Sequence, residues 1–389
     1  MTPEVTPEVT TAATAEPLVA PAYGAGALSD IVPSATAMLT GDTAGNILDL
    51  PTASRVVLLL IDGLGQRQLL RHADDAPYLC SLTQRTLTCG VPSTTATSLT
   101  SLGVGLPPGE HGVVGYTCRI PGTDRLLNAL RWDASVDAEE WQPHPTALAA
   151  AARAGVSTTV INKRSFEGTG LTIASQRGAE FVRADSPGER LAEAVRATRH
   201  EPSLVYVYDA DLDATGHREG CGSEAWRYQL STVDAFAQRL REVVADDAAL
   251  LVTADHGMVD VASEDRVDVD AEPDLLEGVA LVGGEARFRH VYCRAGAVDE
   301  VVRRWRERLG DRAVVLTREE AIAAGWFGSV RRDVEPRIGD VVVACVGPLA
   351  VLSTERFPHE AMLVGLHGSL TPEEMYVPLL IDPPHGGRR

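Results

Sequence analysis

Val56-Val57-Leu58-Leu59-Leu60-Ile61 runs directly into Asp62-Gly63. Six apolar residues in a row are too few to cross a membrane and leave no polar side for solvent. They read as a strand buried on both faces, with its polar break at the carboxyl end. The same arrangement recurs at Ser157–Ile161, Leu204–Tyr208, Ala249–Thr253 and Met362–Val364, the last extended by the Val377–Ile381 run. Between these runs, Thr146–Ala154 and Ala225–Ala245 have helical spacing. Buried strands alternating with helices predict an α/β fold with a mainly parallel central sheet flanked by helices.

Either side of this framework the composition changes. The first 24 residues are rich in Thr, Ala, Pro and Glu and are expected to be a disordered tail. Leu28–Leu39 reads as short helical segments broken at Pro33. Residues 25–389 are expected to form one catalytic domain. Within it, the charged stretch from about Ser263 to Leu352, with a Gly-Gly pair and several short β-like runs, reads as a smaller inserted α+β subdomain.

With 389 residues and 44% hydrophobic content the chain can bury a large core. Thirty-five basic against 54 acidic residues give a formal charge of −19, which disfavours a nucleic-acid polymer or an anionic membrane as partner. No basic n-region with an apolar h-region opens the sequence, and no apolar run reaches about 18 residues. Six scattered cysteines without a CxxC pair read as reduced thiols, so a cytoplasmic location is expected.

The chemistry lies where acidic and imidazole side chains follow the apolar runs. VVLLLI ends in Asp62; LVYVY leads into Asp209, Asp211, Asp213 and His217; ALLVTA ends in Asp255-His256-Gly257; MLVGL ends in His367-Gly368. In an open α/β sheet, ligands bind beyond the carboxyl ends of the strands. Four strand ends are therefore expected to bring carboxylates and imidazoles to one edge, each beside a glycine that lets the backbone turn. Taken singly, each group has an ordinary use: Asp62 as a helix N-cap, Asp255 in an Asx turn, His367 as a satisfied loop histidine. Together they form a donor set suited to zinc or a similar divalent ion.

Val91-Pro92-Ser93-Thr94-Thr95-Ala96-Thr97-Ser98 adds hydroxyls at the start of an expected short helix. There, phosphate oxygens would meet free N–H groups and the positive end of the dipole; simple capping by Ser or Thr is the competing use. His111, in a Pro-Pro-Gly-Glu context, reads as structural.

The ordered series Asp62, Pro92-Ser-x-Thr95, Gly105-x-x-Pro108-x-x-His111-Gly112, Asp213-x-x-Gly216-His217, Asp255-His256-Gly257-Met258 and Gly365-x-His367-Gly368 resembles the alkaline phosphatase superfamily. Within it, the series is most similar to the nucleotide pyrophosphatase/phosphodiesterase branch, from about Ser54 to the C-terminus. The resemblance implies two divalent metals, zinc or manganese. One would be held by Asp213, His217 and His367. The other would be held by Asp62, Asp255 and His256, with Thr95 as coordinated nucleophile and Asp209 and Asp211 outside the set. It implies hydrolysis of a small phosphate ester or nucleotide-like substrate through a phospho-threonine. Ala96 and Ser98 stand where the branch usually has an aromatic residue and an asparagine, which removes a familiar contact to a nucleobase. A monoesterase or phosphonate hydrolase on the same metals, and a metal-stabilised protein without catalysis, are the alternative readings. The sequence carries no signal for oligomeric state.

Overall fold

Burial on both faces is what the first apolar run obtains. In the computed structural model, which describes residues 16–385, Arg55–Ile61 (β1) is the middle strand of a seven-stranded sheet and Val56–Ile61 are completely buried. The others are Thr83–Thr88 (β2), Ser157–Asn162 (β3), Glu180–Arg183 (β4), Ser203–Asp209 (β5), Ala248–Thr253 (β6) and Tyr376–Asp382 (β7). Their spatial order is β2-β7-β6-β1-β5-β3-β4. β1 lies parallel to β5 and β6, and β3 parallel to β4 and β5, whereas β7 runs antiparallel to both its neighbours. Register fixes the site edge: Ile61 stands opposite Asp209, and Leu60 opposite Thr253. The residues that follow β1, β5 and β6 therefore emerge side by side.

The helices Thr95–Val104 (α1), Asp211–Glu219 (α2) and Glu224–Val243 (α3) flank this frame. α3 buries Trp226, Leu230, Val233, Ala237 and Leu240, a spacing of three and four that makes one apolar stripe. Ser223 caps its start by accepting from the Trp226 amide.

Three expectations change. Met362–Val364 is not a sheet strand. Met362 ends a short 3-10 turn with its side chain 75% exposed, and only Gly365–Leu366 pairs, antiparallel, with Val259–Asp260. A run with Met362 and Val364 open to water cannot replace a strand buried on both faces, and Val377–Ile381 enters the main sheet by itself as β7. Pro33 does not break the helix Ile31–Thr40; it occupies the first turn, where no backbone N–H is required. Of the expected tail, residues 1–15 lie outside the described residues. Residues 16–24 lie on the body: Val19 N donates to Leu370 O at 2.7 Å and Ala22 N to Thr88 Oγ1 at 2.8 Å.

Within 263–352, Val279–Glu285, Phe288–Cys293, Val341–Cys345 and Ala313–Thr317 form a four-stranded antiparallel sheet in that order. It has its own core around Val291, Val301, Trp305 and Val343. Two fully buried arginines fasten it to the larger body. Arg287 makes a bidentate pair with Glu374, at 2.7 and 2.8 Å, and Arg289 reaches Glu360 and the Val351 carbonyl. Glu374 also accepts from the Ser369 amide and the Thr371 hydroxyl. Among the described residues no helix is long and apolar enough to cross a membrane.

Removing one partner of a buried, fully bonded ion pair leaves the other charge stranded. Arg287→Leu is therefore expected to lower unfolding stability by about 3–5 kcal/mol, read from urea midpoints. A loss below about 1 kcal/mol would show that the second sheet stays docked without this pair.

Candidate active site

Three ends of the central sheet and one ribbon supply the cluster. Asp62 follows β1, Asp213 and His217 lie one turn apart on α2 just after β5, and Asp255 and His256 follow β6. His367 comes from the loop after Gly365–Leu366, outside the central sheet. Thr95 is the first residue of α1.

Ligand atoms of Asp213, His217 and His367 lie within 4.8 Å of one another, as do those of Asp62, Asp213 and His256. Asp213 thus belongs to both groups, whereas the family likeness implied it for one. Asp255 adjoins the second group. Its Oδ1 accepts from the Gly63 and His256 amides, and its Oδ2 stands 3.4 Å from His256 Nε2. His256 Nε2 is also 3.5 Å from Asp62 Oδ1 and 3.2 Å from Thr95 Oγ1. Neither threonine hydroxyl caps α1: the N-cap Thr94 makes no side-chain capping bond.

The three imidazoles share one orientation. His217 turns Nδ1 to Gly365 O at 2.8 Å, His256 to Gly257 O at 3.0 Å and His367 to Ser93 O at 2.9 Å. A carbonyl only accepts, so each Nδ1 carries a proton, and in the neutral ring this leaves the Nε2 lone pair facing the cluster. The His256 and His367 rings stack at 3.6 Å. Burial, then the adjacent His256 and His217, hold His367 well below the usual imidazole range, so it is neutral.

On the carboxylate side, Asp62 Oδ1, Asp213 Oδ1 and Asp255 Oδ2 are buried without a hydrogen-bond partner. Burial, then the charges of Asp255 and Asp213, push the Asp62 carboxyl well above its ordinary range, against the pull of the Tyr208 hydroxyl that donates to it. Asp255 is also raised, by burial first and with His256 opposing. Unpartnered acceptors facing lone-pair nitrogens in a buried site are what a pair of divalent cations would complete, and this donor set fits them.

Glycines permit the crowding more than the turning. Gly63 has φ +74°, and a Cβ there would stand 2.9 Å from Asp213 Cβ. Gly216 and Gly365 carry no left-handed φ, but a Cβ on either would press on Met258 Sδ, at 2.6 and 2.3 Å. Elsewhere, the residues set aside are structural. Asp209 is buried in an ion pair with Arg190, Asp211 pairs with Lys163 at 2.9 Å, and His111 holds the Ser101 hydroxyl at 2.9 Å.

Two cavities open on either side of Thr95 and Asp213. One, about 290 Å³, is lined by Tyr116, His217, Glu285 and His367; the other, about 230 Å³, by Asp62, Asn162, Phe166, Gln176 and Tyr208. Sequence reasoning missed Tyr208, Glu285 and Ser93. Tyr208 lies inside an apolar run and Glu285 more than 80 residues before His367, so nothing local tied either to the site.

A mainly parallel α/β sheet carries a threonine, three aspartates and three histidines beyond its carboxyl edge, and the family match marks the chain as a phosphoric ester hydrolase of the alkaline phosphatase superfamily. The chain belongs to the type I phosphodiesterase / nucleotide pyrophosphatase family, whose sequence model matches residues 56–370. Its fold is similar to that of murine ectonucleotide pyrophosphatase/phosphodiesterase 5, with 17% identity, TM-score 0.68 and 85% of this chain and 88% of that one covered. An inactive variant of the murine protein in complex with AMP gives 18% identity and TM-score 0.69 over the same shares. Phosphonoacetate hydrolase from Sinorhizobium meliloti 1021, in complex with phosphonoacetate, gives 19% identity and TM-score 0.64 over 86% and 91%. No curated protein matches the chain.

The crowded carboxylates set a pH signature for metal-free protein. A carboxyl that holds its proton more tightly when folded adds stability below its unfolded pKa and loses it as pH rises through the folded value. With Asp62 and Asp255 both raised, chelated protein is expected to lose stability as pH rises above the ordinary carboxylate range of about 4. Thermal melts in chelator should show this trend, and it should flatten in Asp62→Asn. An equal slope in both proteins would remove the crowding argument.

Proposed function

We propose that the chain hydrolyses a small phosphodiester, with Thr95 as nucleophile, at two divalent cations, zinc or manganese. The observation that carries the reading is the shared orientation of His217, His256 and His367, with three buried carboxylate oxygens lacking partners opposite them. His217, His367 and Asp213 would hold one cation; Asp62, Asp255 and His256, with Asp213 close by, would hold the other. Bound there, such cations neutralise phosphate oxygens and lower the pKa of a coordinated hydroxyl.

The chain's own groups do the rest. The α1 backbone presents Thr95 Oγ at the floor between the two cavities, so a phosphate can reach it from either side. Thr95 Oγ gives up its proton and forms the new bond to phosphorus, while the bond to the leaving alcohol breaks and that oxygen takes up a proton, so no net proton is consumed. Water then cleaves the phospho-threonine, restoring the hydroxyl and releasing the monoester. The first amides of α1, unpaired within the helix, face the phosphate oxygens at the positive end of its dipole. The carbonyls of Gly365, Gly257 and Ser93 keep the three rings from rotating, which holds the site's geometry before substrate arrives.

Thr95→Ala is expected to lower turnover on an aryl phosphodiester by at least about a thousandfold while retaining most bound metal. Thr95→Ser should keep measurable rate and Thr94→Ala should cost far less. A dead Thr94→Ala beside an active Thr95→Ala would move the nucleophile by one residue, and two active variants would remove the covalent step.

The ligand assignment has a separate readout. Elemental analysis is expected to find close to two equivalents of divalent metal per chain, falling toward one in His367→Ala. Full metal content in that variant would reject His367 as a ligand.

A further inference from the structure

The 290 Å³ cavity beside Thr95 has an unbalanced wall. Leu130, Leu363 and Leu366 make one part apolar. Apart from the cluster residues, its ionisable lining is Tyr116, Glu285, His359 and Glu360; among the described residues neither lysine nor arginine lines it. Glu360 is engaged by Arg289. Glu285 has no ion pair of its own among the described residues. It ends the strand Val279–Glu285 of the second sheet, is 5% exposed, and accepts at Oε1 from the Tyr116 amide. The Arg289 charge and the Thr94 side chain also favour its ionised form, yet Oε2 is buried without a hydrogen-bond partner. Its backbone is fixed from both sides. Gly284 before it has φ +82°, and Gly368 packs so closely that a Cβ there would lie 2.9 Å from Glu285 Cβ. A buried acceptor held rigidly in a cavity wall calls for a donor from whatever fills the cavity.

Resting on the phosphodiester reading above, we propose that Glu285 is a specificity-determining residue. Its free carboxylate oxygen accepts a hydrogen bond from a hydroxyl or ammonium group on one arm of the ester, and it disfavours an arm that carries negative charge. Burial also pushes this carboxyl up to about 8, so the charge that disfavours an anionic arm is present above that pH, which is where the rates below are compared. A second phosphate or a carboxylate in the cavity would face Glu285 with no lysine or arginine in the wall to receive it. The cavity therefore favours a phosphodiester with a neutral or cationic arm over a pyrophosphate or a carboxylate-bearing phosphonate.

The test uses symmetrical phosphate diesters whose two arms both end in ammonium, in hydroxyl or in carboxylate, so that either binding orientation brings the test group to the cavity. Rates are followed by phosphorus NMR on the metal-loaded full chain. Wild type is expected to prefer the ammonium or hydroxyl diester to the carboxylate diester by at least about a hundredfold in kcat/KM. Which of the two donors ranks first identifies the natural arm. Glu285→Gln, whose amide oxygen can still accept from Tyr116, should compress that ratio at least about tenfold. Equal use of the carboxylate diester by wild type, or an unchanged ratio in a Glu285→Gln protein that melts as a folded one, overturns the proposal. Should the variant not fold, the wild-type order decides. If no diester is hydrolysed, the phosphodiester reading fails. Calorimetric binding of the same three compounds then still ranks them, and a flat ranking rejects the role of Glu285.

Discussion

Three carboxylates, Asp62, Asp213 and Asp255, are brought together with Asp62 and Asp255 buried and Asp213 partly so, and the rest of the molecule is organised around that constraint. Burial first, and repulsion between the carboxylates second, raise the affinity of Asp62 and Asp255 for protons. Such an arrangement persists only when a stiff framework imposes it. The framework is the central sheet, whose parallel register ends β1, β5 and β6 level with one another. β7, at the other side of β6, continues this half of the sheet with a buried apolar strand, and β2 forms its edge.

The second sheet completes the site from outside this frame. Its buried Arg287 pairs with Glu374, and the same carboxylate binds Ser369 N and Thr371 just after His367. One carboxylate therefore couples the docking of the second sheet to the loop that carries the last imidazole. Ser93 adds a link from the α1 side: its carbonyl orients His367 and its hydroxyl donates to Ser369 O at 2.6 Å. The peptide before Thr95 and the loop of the most distant imidazole are thus one hydrogen-bonded unit, and Thr95 and His367 keep a fixed relation although 272 positions separate them in the sequence.

How much of this was legible follows from how local each signal is. Runs such as VVLLLI and ALLVT declare a strand buried on both faces by themselves, and the polar residues after them declare the site edge. Met362–Val364 misled because three apolar residues look alike whether they enter a sheet or line a surface, and here Met362 and Val364 are open to water. The glycines were noticed for their turns, but several serve close approach, which depends on a partner that sequence cannot supply.

By itself the sequence determined the class of fold, the edge at which chemistry sits and the types of group found there, because period, strand polarity and side-chain chemistry are properties of short segments. Tertiary structure alone decided that Asp213 stands in both ligand groups, that each imidazole is turned by a backbone carbonyl, and that Glu285 of a second sheet reaches the cavity beside Thr95. The physical reason is distance along the chain: apart from His256 and the Gly257 carbonyl beside it, these relations join segments separated by many residues, and only tertiary packing fixes them.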